Sequence, residues 1–234
     1  TLADAVAATP DSISTYFLFV DRGTGLYARV QRGAAQLPSH RHAQTQHLMA
    51  QLCLQGAGYH ELPNDFWARP AADPATFRPE RLPSQAVTLP IGPGAYGYYS
   101  GAQVGNVFDL AEYERRAAVG QSPLWRAYRL SADESFHRDV MFSLKNDPYI
   151  DCSLFRSAYN SSPLERFAAR FERLERLGLV AIDGERIRLT GKGRLCVEEI
   201  AALFRAPGIS PAADAAEPLL QKHLFAATYP VVDW

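Results

Sequence analysis

Pro163-Leu164-Glu165-Arg166-Phe167-Ala168-Ala169-Arg170-Phe171-Glu172-Arg173-Leu174-Glu175-Arg176-Leu177-Gly178 runs directly into Leu179-Val180-Ala181-Ile182-Asp183-Gly184-Glu185-Arg186-Ile187-Arg188-Leu189. Leu164, Phe167, Phe171 and Leu174 recur at three- and four-residue steps, which predicts a helix over 163–177 with one apolar stripe. Pro163 suits its first turn and Gly178 its end. The two β-type runs that follow flank Asp183-Gly184, a type I′ turn signal, and predict a hairpin. Upstream, Ser131 with Glu134 three residues later forms a capping-box pattern for a helix over 131–144, and a short helix is expected over 153–159. Downstream, a last helix over 193–204 turns Leu195, Ile200 and Leu203 inward. Three helices and a hairpin make a winged-helix-like module over 131–206.

Towards the N-terminus the pattern changes. Ser14-Thr15-Tyr16-Phe17-Leu18-Phe19-Val20 is aromatic and β-branched, bounded by Pro10-Asp11 and Asp21-Arg22-Gly23, and predicts a buried strand. A helix with Ala43, Leu48, Leu52 and Leu54 on a polar background is expected over 40–55, then strands over 59–62 and 86–91. This strand–helix–strand–loop–strand order points to an α/β (or α+β) class, with 1–101 built like the closing units of a β/α barrel. Residues 102–130 read as a linker with a short helix over 109–119, and 207–234 as a tail, Ala/Pro-rich and then apolar.

The 234 residues are 47% hydrophobic and carry a formal net charge of −1, so the chain has material for a sizeable core and no strong pull towards nucleic acid or anionic membrane. No apolar run is long enough to span a bilayer, so no membrane partner is expected. Cys53, Cys152 and Cys196 are odd in number and far apart, unlike a disulfide framework or a metal knuckle, which fits a reducing, cytoplasmic compartment. Cys53 and Cys196 are expected to be buried, inert thiols on helices. The start at Thr1, leading straight into a helix-like stretch, suggests a chain that begins inside a larger protein.

Ile91-Gly92-Pro93-Gly94-Ala95-Tyr96-Gly97 follows a predicted strand, where glycines could aim free N–H groups at a ligand or simply serve the dihedrals of a tight exit. Asn64-Asp65-Phe66-Trp67-Ala68-Arg69-Pro70 gathers a carboxylate, a guanidinium and two aromatics; it suits a planar, carboxylated ligand or a structural Asp65–Arg69 pair. His42 and His47 share a helix face but lack acidic or thiolate companions, so they read as exposed and no metal site is assigned. His137 and His223 read as surface or packing residues. Arg166, Arg170, Arg173 and Arg176 could face nucleic acid, the rival reading from another class. Glu165, Glu172 and Glu175 interleave with them, however, which describes a solvated, salt-bridged face rather than a nucleic-acid surface.

Thr9-Pro10-Asp11-Ser12-Ile13-Ser14, Gly23-Thr24-Gly25, Gly58-Tyr59, Asp65-Phe66-Trp67-Ala68-Arg69-Pro70, Ile91-Gly92-Pro93-Gly94-Ala95, His137-Arg138-Asp139-Val140 and Leu189-Thr190-Gly191-Lys192-Gly193-Arg194 occur in one order along the chain. Together they resemble the C-terminal half of the oxygen-independent coproporphyrinogen III oxidase-like family of radical S-adenosylmethionine (SAM) enzymes. The resemblance implies a partial radical SAM barrel followed by the helical module. It implies SAM as cofactor, contacted by Phe19, Gly92, Gly94, Ala95 and Tyr96, and a [4Fe–4S] cluster held by an N-terminal radical SAM half that this chain lacks, so that alone it should be inactive. It implies a small aromatic or tetrapyrrole substrate, with Asp65 and Arg69 near the substrate pocket. Phe17-Leu18-Phe19 and Tyr96 are more apolar or larger than expected of coproporphyrinogen oxidases. That favours C-methylation or cyclopropanation by a 5′-deoxyadenosyl-radical route, with oxidative decarboxylation of coproporphyrinogen III or non-catalytic haem chaperoning as the alternatives.

Overall fold

The structure, a computed structural model, describes residues 1–18, 20, 24–62, 66–69 and 81–206. Its helices are α1 (Leu2–Ala7), α2 (Gly25–Gln31), α3 (His40–Gly56), α4 (Leu110–Ala118), α5 (Ala132–Asn146), α6 (Cys152–Tyr159), α7 (Pro163–Arg166), α8 (Ala168–Arg176), α9 (Gly191–Arg194) and α10 (Val197–Ala202). Its strands are β1 (Ser12–Ser14), β2 (His60–Leu62), β3 (Phe66–Ala68), β4 (Tyr96–Tyr99), β5 (Ala102–Asn106), β6 (Leu124–Arg129), β7 (Ile150–Asp151), β8 (Val180–Asp183) and β9 (Arg186–Leu189). They form three small sheets, β1-β3-β2, β4-β5-β6 and β7-β9-β8, every pair antiparallel among the described residues. The mixed α/β class is as expected.

The helical module holds the larger core. Phe136, Val140 and Leu144 on α5 meet Phe155, Phe171, Ile187 and Phe204, all 4% exposed or less. The rings interlock: Phe136 meets Phe155 edge-on at 5.3 Å and Phe171 stacks on Phe204 at 4.7 Å. Ser131 caps α5 with the expected box, its Oγ accepting from Glu134 N–H while the Glu134 carboxylate accepts from Ser131 N–H. Two predicted helices are each broken once. The 163–177 helix splits at Phe167 (φ −124°, ψ 30°), whose ring wedges against Phe136, His137 and Phe204. The 193–204 helix splits at Cys196 (φ −137°, ψ 35°). Apolar spacing cannot register such breaks, because the stripe continues across them.

The hairpin β8–β9 forms, but its loop is Gly184-Glu185, since Asp183 pairs with Arg186. Gly184 has φ +57° and Glu185 has no positive φ, so the turn is not type I′, which needs both. Two consecutive positive φ values occur instead at Ser100-Gly101, joining β4 to β5. Residues 102–130 thus carry two strands of a sheet besides the expected short helix, α4.

Residues 1–69 pack around a smaller core of Leu54, Tyr59 and Trp67, each 2% exposed or less. The strand predicted over 14–20 is shorter and earlier. β1 ends at Ser14 opposite Phe66, and residues 15–18 carry no strand pairing among the described residues. Burial still alternates over 12–18, with Ile13, Thr15 and Phe17 inward. The strand predicted over 86–91 reduces to one bridge, Thr88 to Tyr98, since Pro90 has no N–H for a ladder. On α3, His47 and Leu54 face in while Leu48 and Leu52 face out.

Asp147 closes α5, its N–H donating to the Ser143 carbonyl at 3.1 Å. Burial pushes its carboxyl up to about 6, against a hydrogen bond from Ser143 and with the charge of Asp139 adding to the rise. A pKa raised in the folded state means that the fold holds this proton more tightly than the unfolded chain. The stability it supports is present below about pH 4 and lost as pH climbs to about 6. Asp147→Asn should therefore stabilise the chain by on the order of 2 kcal/mol at pH 7.5. Urea melts of both proteins should converge at acidic pH.

Candidate functional site

The glycine loop between Thr88 and β4 is held from three sides. Gly92 N–H donates to Tyr113 Oη of α4 at 2.9 Å. Gly94 N–H donates to the Val107 carbonyl at 2.8 Å, and Ala95 N–H to the Gly92 carbonyl at 3.3 Å. From β5, Asn106 Nδ2 donates to the Pro90 and Gly92 carbonyls at 3.1 and 2.9 Å, and its N–H to the Ala95 carbonyl at 2.9 Å. The N–H groups read in the sequence as free for a ligand are therefore used inside the protein. Gly92 (φ +101°) and Gly94 (φ +68°) answer to backbone conformation. What the loop turns outward is apolar: Ile91 is 85% exposed and Tyr96 52%. Val87 and Leu89 continue this rim.

Arg69, expected near substrate, lies with its guanidinium over the Tyr59 ring at 5.3 Å. Its N–H donates to the Asp11 carbonyl, while Tyr59 Oη donates to the Pro10 carbonyl at 2.6 Å. These contacts pin the Pro10-Asp11 turn to the first sheet, a structural task. Asp65 and Phe19 lie outside the described residues. Arg69 follows β3 of the first sheet and the glycine loop precedes β4 of the second, so the expected residues sit on two separate sheets.

A buried polar cluster ties the glycine-loop region to the helical module. Asp139 of α5, fully buried, accepts from Ser84 N–H at 2.7 Å, Ser84 Oγ at 2.5 Å and Tyr159 Oη at 2.7 Å. Burial raises its pKa, against the pull of Ser84, Tyr159 and Arg138. Burial and then the Asp139 charge raise the Tyr159 hydroxyl. Beside it, Arg138 lies between the Tyr98 and Phe142 rings, at 4.0 and 4.4 Å, and burial lowers its pKa. Asp139 was legible only as part of a motif; Ser84 and Asn106 had no signal of their own.

Burial corrects the expectations for His47 and Cys53, whereas His137 and the arginine face are as read. His47 is 7% exposed and stacks on Phe17 at 4.7 Å, so it is not an exposed helix-start histidine, and burial lowers its pKa. His137 packs inside the module, with Nδ1 2.6 Å from the Phe204 carbonyl oxygen. Cys53 is exposed, not buried; Cys152 is buried and burial pushes its thiol up to about 11. Arg166 pairs with Asp133 at 2.8 Å and lies over Phe136, and Arg170 lies over Phe167, so these guanidinia serve their own module. Thr190-Gly191-Lys192-Gly193-Arg194 closes the module: Thr190 Oγ1 caps Gly193 N–H and Lys192 Nζ donates to the Leu177 carbonyl.

No helix among the described residues is long and apolar enough to cross a membrane. Residues 130–196 match the family described as the HemN C-terminal domain. The chain is 30% identical over 205 residues to the heme chaperone HemW of Mycobacterium tuberculosis, covering 84% of this chain and 48% of that protein. It is 28% identical over 166 residues to the oxygen-independent coproporphyrinogen III oxidase of Salmonella typhimurium, covering 65% of this chain and 36% of that one. Its fold matches the solved coproporphyrinogen III oxidase (HemN) of Escherichia coli, described as a radical SAM enzyme, with a TM-score of 0.65 and 23% identity. That match covers 88% of this chain and 50% of the other. The resemblance read in the sequence is thus borne out, and the chain spans about half the length, or less, of the curated relatives it matches.

A Cβ on Gly97 would meet the Thr88 carbonyl oxygen and the Pro90 ring well inside contact distance. Gly97→Ala should separate the Thr88–Tyr98 bridge and cost about 1–3 kcal/mol by overpacking. Urea denaturation of the two proteins checks it.

Proposed function

We propose that this chain forms the closing part of a radical SAM protein that acts on a flat aromatic or tetrapyrrole substrate. The reading is supported by the 28% identity to an oxygen-independent coproporphyrinogen III oxidase along 65% of the chain and by the fold match to HemN, together with the apolar rim that the glycine loop presents. Such a rim suits a ligand without phosphates. The loop's committed N–H groups would serve a phosphate poorly, whereas Ile91 and Tyr96 can pack against an adenine or an aliphatic chain. That fits SAM, with Gly92, Gly94 and Ala95 supporting the surface rather than donating to the ligand. The cysteines do not fit the cluster. Cys53, Cys152 and Cys196 lie on different elements, and no group of three metal-ligating side chains occurs among the described residues. The [4Fe–4S] cluster is therefore assigned to an N-terminal radical SAM half.

When SAM is bound and reduced, it supplies hydrogen-atom abstraction. This chain's residues would orient it and exclude water: Ile91 and Tyr96 would flank the ligand, Phe19 is kept as a SAM contact on the resemblance alone, and Asp65 and Arg69 are the remaining substrate candidates. The apolar character of the rim favours C-methylation or cyclopropanation over decarboxylation. A second reading, haem chaperoning, is favoured by the relationship to HemW.

The test is anaerobic incubation of this chain, joined to its cluster-bearing half, with SAM, dithionite and a porphyrin. Formation of both 5′-deoxyadenosine and S-adenosylhomocysteine is expected. 5′-Deoxyadenosine alone, with loss of carbon dioxide, would move the assignment to decarboxylation. Neither product, with a stable Soret band after haem addition, would move it to chaperoning.

A further inference from the structure

We infer that Asn106 is the positioning residue of the glycine loop, with Tyr113 as its partner from the opposite side; this rests on the reading that the loop lines the SAM site. Asn106 is 1% exposed and ends β5 at a register shift between Gly105 and Asn106. Bulges of this kind re-aim a side chain, and here the amide is directed at the loop, where Nδ2 bridges the Pro90 and Gly92 carbonyls. Those carbonyls bracket Ile91, the most exposed apolar residue of the rim. Tyr113 Oη takes up the Gly92 N–H, so both polar groups of Gly92 are fixed by side chains from two different elements. Tyr96 follows the fixed segment directly and inherits its position.

The other half of the amide shows that fold stability alone does not explain this residue. Asn106 Oδ1 is buried and has no hydrogen-bond partner among the described residues. A buried amide oxygen without a donor is destabilising, and an apolar residue of the same shape would remove that cost. What only the amide can do is donate twice, to two carbonyls two residues apart. Asn106 therefore exchanges some stability for one fixed loop geometry, which is what a ligand surface built from Ile91 and Tyr96 requires.

Asn106→Leu separates the two roles. Amide hydrogen exchange on the 234-residue chain should quicken by about ten-fold or more at Gly92, Gly94 and Ala95, while the exchange of Phe136 and Val140 in the helical module stays unchanged. In the protein joined to its cluster-bearing half, the Kd for SAM should weaken by about ten-fold. Tyr113→Phe, on a half-buried helical residue, should quicken Gly92 alone and carries the same test should Asn106→Leu not fold. Unchanged exchange in the loop would overturn the inference. So would faster loop exchange with unchanged SAM affinity. If the unsubstituted protein does not bind SAM at all, the functional reading fails instead, and the exchange result alone decides whether Asn106 holds the loop.

Discussion

The Asp139 carboxylate is the contact on which the rest of the structure depends. It sits on the core helix of the module, fully buried, and collects the Ser84 N–H, the Ser84 hydroxyl and the Tyr159 hydroxyl. Ser84 belongs to the short turn that leads into the glycine loop, and Tyr159 to the helix behind α5. A buried carboxylate is tolerable only when its oxygens are satisfied, so this one joins the segments in a single arrangement or not at all. Next to it, Arg138 does the same with aromatic faces, one from the second sheet and one from its own helix. The Pro83–Gln85 turn ahead of the glycine loop, and Tyr98 after it, are thus held against the helical module. A second, weaker link, Arg194 to Glu61 at 3.5 Å, ties the module to the first sheet.

The loop's own hydrogen bonds decide what it can do. A strand exit rich in glycine invites the picture of a backbone cradle with free N–H groups, yet Tyr113, Val107 and Gly92 itself already accept those hydrogens. The surface left over is a rigid, apolar rim. Rigidity suits a reaction in which a reactive species must meet one carbon and no solvent, since water exclusion and alignment are what a protein adds to such chemistry.

How much of this was legible varied with the range of the interaction. The helical module was readable because its signals are local: the stripe from Leu164 to Leu174, the Ser131–Glu134 box, and β runs around a turn. The break at Phe167 was not, because wedging a ring against Phe136 and Phe204 leaves the apolar spacing intact. Around the second sheet the reading missed β4, β5 and β6, although Ser100-Gly101 carried the turn signal. Ala102-Gln103-Val104-Gly105-Asn106 has little strand propensity, and burial on both faces erases alternation. The converse error at 86–91 has a plain cause: propensity was present, but Pro90 has no backbone N–H for a ladder. Arg69, named by motif, also makes contacts within its own sheet, to Tyr59 and the Asp11 carbonyl. Those that shape the loop, Asn106 and Tyr113, act across distances in sequence that no local pattern records.

The claim that Asp139 mounts the loop region on the module is tested most directly by a double-mutant cycle in urea denaturation, using Ser84→Ala, Asp139→Asn and their combination. The account predicts that the single effects do not add, with a coupling energy of about 1.5–3 kcal/mol, as for a hydrogen-bonded charged group in a shared network. Additive effects, with a coupling near zero, would mean that the two segments are held together by other contacts, and would contradict it.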